Sequence, residues 1–126
     1  MDPDHVNALK GGVASWNAWR TSQPQLRPNL AEAKLRATDL SGANLSRADL
    51  SGADLRGAQL IGTDLQGADL RGANLFKAEL TGACVSGCDL RGARFLNPDQ
   101  IRSAEGWQNA QYDRDLDVGA SLPGEH

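Results

Sequence analysis

From Pro28 to Asn97 the chain divides into fourteen consecutive pentapeptides without an insertion, and no other feature limits its folding so strongly. With the apolar residue of each pentapeptide taken as its centre, twelve centres are leucine: Leu30, Leu35, Leu40, Leu45, Leu50, Leu55, Leu60, Leu65, Leu70, Leu75, Leu80 and Leu90. The other two are Val85 and Phe95. Two residues before the centre stands Ala in ten pentapeptides, the exceptions being Pro28, Thr38, Thr63 and Cys88. Two residues after it stands Gly in nine; just before it, Asp in six and Asn in three.

A period of five suits neither common element. On a helix turning about 100° per residue, a step of five rotates a side chain by about 140°, so the leucines would wind over every face. On a strand, alternate leucines would point to opposite faces. A chain that turns a corner every five residues removes the conflict: Leu and the preceding Ala point inward, and Gly carries the backbone through the bend. Ala has to be small because several sides converge on one narrow axis. The pattern therefore predicts a solenoid with Asp, Asn, Ser and Arg outside.

The run Ala-Asn-Leu-Ser-Arg, Ala-Asp-Leu-Ser-Gly, Ala-Asp-Leu-Arg-Gly over residues 43–57 resembles the A(D/N)LXX signature of the pentapeptide repeat proteins. The segments 13–20 and 97–107 also resemble the flanks of cyanobacterial members. The resemblance implies an all-β solenoid, a right-handed quadrilateral β-helix with four pentapeptides per coil. Fourteen repeats then make about 3.5 coils, roughly 17 Å tall at the usual strand spacing.

Both ends of such a column expose apolar cross-sections that something has to cover. Residues 1–27 are expected to form the N-terminal helical cap. Val6, Leu9, Val13 and Trp16 follow helical spacing, Trp19 comes three further on, Pro3 suits a first helical position, and Gly11-Gly12 marks a kink. Residues 98–112 are expected to form the second cap: Asn97, Pro98 and Gln100 spell a helix start, Ile101, Ala104 and Trp107 supply its apolar side, and Gly106 divides it. The tryptophans are read as core covers rather than ligand platforms. Residues 113–126 are expected to be a loose polar tail.

The inventory for catalysis is thin. The two histidines, His5 and His126, lie near opposite termini, and the glycines recur at multiples of five rather than in a phosphate-binding pattern. No catalytic residue, cofactor site or metal site is assigned. Cys84 points outward in this register while Cys88 replaces an inward Ala, so a shared redox or metal role is not expected. Asn44-Leu45-Ser46 fits a glycosylation acceptor but is also simply the repeat. Asp49, Asp69 and Asp89 stack in one column that could attract a cation, with Arg71 and Arg91 beside them to neutralise it. A polar, acidic start without an apolar stretch and the lack of any long apolar run favour a cytoplasmic protein without a membrane partner.

One surface feature stands apart. In the twenty-residue register, the position after the centre runs Arg36, Arg56, Phe76, Leu96, with Ile61 equivalent one side away. This is the candidate partner-binding site, unless the C-terminal helix folds back over Phe76 and Leu96. Two functions compete. The first is a non-enzymatic scaffold or adaptor holding a protein partner, expected to be monomeric because both ends carry caps. The second, implied by activity known in the family, is inhibition of DNA gyrase by DNA mimicry. Residues 28–97 hold eight basic and eight acidic residues, and the chain's net charge is only −3, so a short, neutral column disfavours mimicry and nucleic-acid binding alike.

Overall fold

The computed structural model describes residues 1–113 and Leu116; apart from Asp113 and Leu116, the expected tail lies outside the described residues. Each pentapeptide centred from Leu30 to Leu90 closes a turn in which the amide three residues past the centre donates to the centre's carbonyl, as from Ala53 to Leu50 at 3.0 Å and from Ala68 to Leu65 at 2.9 Å. The third residue of these turns has φ between 57° and 76° at every corner from Glu32 to Gly92. That is the left-handed region which turns of this type demand and glycine enters without strain. Glu32, Ala37, Arg47 and Lys77 adopt it with a Cβ attached.

Successive coils stack with a period of twenty residues. From Asn29 to Arg94 the residue before a centre forms a parallel bridge with its counterpart twenty further on, and two last bridges, Cys84 to Glu105 and Asp89 to Gln111, lie just beyond that spacing, giving four series. Side one is Asn29, Asp49, Asp69, Asp89 and Gln111; side two is Lys34, Asp54, Asn74 and Arg94. Side three is Asp39, Gln59 and Glu79; side four is Asn44, Asp64, Cys84 and Glu105. Between coils the Leu50 amide donates to the Asp69 carbonyl at 2.8 Å, and the Asp69 amide to Ala48 at 2.9 Å. Among the described residues these bridges stay isolated rather than merging into strands. A five-residue side that gives two residues to each corner has no length left for one.

The interior is the leucine column. Every centre from Leu30 to Leu90, Val85 included, is at most 2% exposed, and each such burial contributes about 1.5–3 kcal/mol before entropy is subtracted. Where the inward small position is polar it is satisfied: Thr63 Oγ1 donates to the Leu40 carbonyl at 2.7 Å, and the Cys88 thiol to that of Leu65.

Phe95 departs from the expected core. Its own backbone is left-handed, at φ 61°, which throws the ring out of the column to 63% exposure. The corner thus arrives two residues early, and a phenyl ring stays outside a column otherwise filled by Leu and Val. Leu96, expected outside, is instead half-buried against the core.

The caps work through side-chain hydrogen bonds as much as through apolar cover. Helices α1 (Pro3–Lys10) and α2 (Val13–Ser22) divide at Gly11-Gly12 and pack on each other. The first coil has no coil above it, so its backbone groups need other partners. Trp16, fully buried, donates Nε1–H to the Asn44 carbonyl at 2.8 Å, and Asn17 Oδ1 accepts the Asn44 amide at 2.7 Å. Arg20, 4% exposed, donates to the carbonyls of Asn44 and Ser46. On side one, His5 Nδ1 accepts the Asn29 amide at 3.0 Å and the Asp2 amide donates to the Asn29 carbonyl.

At the other end α3 (Pro98–Arg102) starts from a capping box between Asn97 and Gln100. Gln100 also donates Nε2–H to the carbonyls of Leu75 and Ala78, standing in for a missing rung on side three. The helical cap expected over 98–112, divided at Gly106, is realised only in part. After Gly106 comes a short turn of 3-10 helix (Trp107–Asn109), and Glu105 and Gln111 rejoin the ladder, so the pairing outlasts the fourteen pentapeptides.

Candidate functional site

Side two carries the candidate site, and the twenty-residue register is what assembles it. The stacked pentapeptides 33–37, 53–57, 73–77 and 93–97 bring together Lys34, Arg36, Arg56, Lys77 and Arg94 against one acid, Asp54, a net charge of +4. The other three sides of the repeat region hold the remaining three basic residues and seven acids, a net of −4. The neutral balance of the repeat region therefore conceals one basic side.

Arg56 grips Asp54 through both ends of its guanidinium, Nε–H to Oδ1 at 2.8 Å and an Nη2–H to Oδ2 at 2.7 Å. The hydrogen bond from Arg56 lowers the Asp54 pKa to about 2 and raises that of the arginine. Among the described residues, Lys34, Arg36, Lys77 and Arg94 form no ion pair with an acid. Arg36, Ala37, Arg56, Gly57, Phe76 and Lys77 line an open groove of about 410 Å³ along the coil stack.

At the lower end of this groove Phe76 is 46% exposed. The ring of Phe95 meets it edge-on, centroids 5.5 Å apart, and the Lys77 ammonium lies 5.4 Å from the Phe76 centroid. The site therefore unites Arg36, Arg56 and Phe76 as the sequence leads one to expect, and α3 leaves Phe76 open. Leu96 does not share the exposed patch; Phe95 takes that place. Ile61, 48% exposed, stands at the corner after side three and does not line the groove. Sequence reasoning missed Phe95 and Lys77. The decay of the repeat at Ala93-Arg94-Phe95-Leu96-Asn97, just before a helix start, was the available signal for the first, and a lysine at a corner otherwise favouring glycine for the second.

The carboxylate column on side one is internally paired. Arg71 bonds Asp69 at 2.8 Å and reaches Asp89 at 3.7 Å, Arg91 bonds Asp89 at 2.6 Å, and Asp49 accepts the Ser51 hydroxyl at 2.6 Å. Hydrogen bonds from these arginines hold Asp69 and Asp89 below the usual carboxylate range. Cys88 is buried, and burial pushes its thiol up to about 12; Cys84 lies outward on side four, and both thiols are free.

The model of the family described as pentapeptide repeats matches eight copies, over residues 29–67 and 53–92. Among solved structures, a pentapeptide repeat protein of the Arabidopsis thaliana thylakoid lumen is 26% identical, over 71% of this chain and 57% of that one, with a TM-score of 0.54. Rfr23 of the cyanobacterium Cyanothece 51142 is 35% identical over 71% of this chain and 60% of its own, with a TM-score of 0.37. A pentapeptide repeat protein of Nostoc Pcc 7120 is 31% identical over 87% of this chain and 93% of its own, with a TM-score of 0.35. The chain thus spans less than two thirds of the length of the first two. No curated protein matches the sequence.

Proposed function

Because this chain belongs to the pentapeptide repeat family, we propose that it is a non-enzymatic protein-binding module, a scaffold or adaptor built on a right-handed quadrilateral β-helix. The twenty-residue coils, their four corners and the likeness to the plant protein support that architecture. One observation carries the binding reading: two exposed phenyl rings are held edge-to-face on a basic side of a column whose backbone is bonded above and below. Exposed aromatics within a charged rim are the composition of contact surfaces. On this reading the molecule acts in the cytoplasm as a monomer, its ends closed by side-chain caps, without cofactor, nucleic acid or membrane. DNA mimicry asks for an acidic rod, and the one strongly charged side here is basic.

Affinity capture from lysate of the source organism tests the reading, with wild type beside a Phe76→Asp, Phe95→Asp double variant. Both substitutions lie on exposed rings, so the fold should survive, with an unchanged circular dichroism spectrum. A defined protein retained by wild type and lost by the variant is the expected result. Equal capture by both would refute side two as the binding face.

A further inference from the structure

We propose that side two takes an acidic segment of a partner protein in extended form, carboxylates on Arg36 and Lys77 and one apolar side chain against Phe76 and Phe95. The inference rests on the protein-binding reading and gives it a partner chemistry. Charge complementarity carries it. Five basic residues share this side with a single acid, already gripped by Arg56, while sides one and three are net acidic, side four is neutral, and none of the three would attract the same ligand. The groove runs along the stack from Arg36 past Arg56 to Phe76, two coil spacings or roughly 10 Å. That is the length of about three residues of extended chain. It fits a short motif with an acid at each end and an apolar residue placed toward the Phe76 end.

A nucleic acid fits less well. Base stacking needs an open ring face, and Phe76 already has the Lys77 ammonium over its ring and Phe95 against it. A nucleic acid also carries a charge on every phosphate, so any phosphate that falls beside Asp54 is repelled. A peptide can leave that position neutral.

The test is a fluorescence-anisotropy titration of the full chain with a short labelled peptide of Glu and Asp around one central Phe. Two comparison probes are the same peptide with Phe replaced by Ser, and a single-stranded oligothymidylate. Wild type should bind the Phe peptide at least about tenfold more tightly than the Ser peptide, and more weakly as salt rises from about 50 to 200 mM. The Arg36→Glu, Lys77→Glu variant should lose at least about tenfold in affinity. Lys10→Glu with Arg71→Glu, the same charge change placed elsewhere, should keep wild-type binding. The proposal is overturned by no binding of the Phe peptide, by equal loss in both double variants, or by tighter binding of the oligothymidylate. Failure here with a partner still captured through Phe76 and Phe95 would refute the acidic chemistry and leave the protein-binding reading standing.

Discussion

Replacing Gly62 by Ala isolates the corner that makes this fold. Gly62 has φ +65°, and a Cβ built there meets nothing within 4 Å, so the substitution adds backbone strain without a clash. Left-handed geometry costs an L-residue about 1–2 kcal/mol. Removing glycine's freedom from the unfolded chain returns about 0.4–1 kcal/mol. The expected net loss is therefore about 0.5–1 kcal/mol. Ala37 is the mirror case: it already sits at φ 57°, so Ala37→Gly should gain a similar amount. With an unfolding entropy of about 2.1 cal/mol/K per residue, 1 kcal/mol moves the midpoint of a chain this long by about 4 °C. Thermal unfolding followed by circular dichroism should show Tm falling by about 2–4 °C for the first variant and rising by about 2–4 °C for the second. The same direction of change in both, or the reverse order, would refute a left-handed corner at every fifth residue.

Other consequences are equally direct. Leu65→Ala, at a fully buried centre near mid-column, should cost about 3 kcal/mol by urea titration, and Leu65→Asp should leave no cooperative transition because it buries a charge among leucines; wild-type stability in either would contradict the register. Under native conditions a thiol reagent should label Cys84 and spare Cys88, and fast labelling of Cys88 would contradict its burial. Asp54, Asp69 and Asp89 have pKa values lowered in the fold, so their ion pairs stabilise it fully above about pH 4 and lose that contribution as pH falls toward 2. The triple variant Arg56→Gln, Arg71→Gln, Arg91→Gln should flatten the decline of Tm over that window, and an unchanged slope would show that the pairs contribute nothing.

Much of the architecture was legible because a strict period leaves little freedom. Leu at every fifth residue with a small residue two before it fixes the inward positions from Leu30 to Leu90, and Asn97-Pro98-Asp99-Gln100 announces its own helix. Phe95 was misplaced because a register counts residues and not volume. A ring in place of Leu near the helix start found a better position outside, and the backbone bent early to allow it. Trp16 was recognisable as a cover, whereas the work of Asn17 and Arg20 was not. Their bonds reach Asn44 across more than twenty residues and depend on the angle at which α2 docks. The basic side escaped notice for another reason. Charge summed along the chain cancels, while charge sorted around the column separates, since Arg36 and Arg56 lie twenty residues apart in sequence yet stack on one side, where Lys77 joins them one coil further on.

A ¹⁵N-edited NMR titration with the acidic Phe peptide tests the assembly of side two into one binding face most directly. Perturbed amides confined to 34–37, 54–57, 74–77 and 94–96, four segments brought together only by the twenty-residue coil, are the predicted result. Perturbations centred on the Asp69 and Asp89 side, or scattered without regard to the coil period, would contradict it.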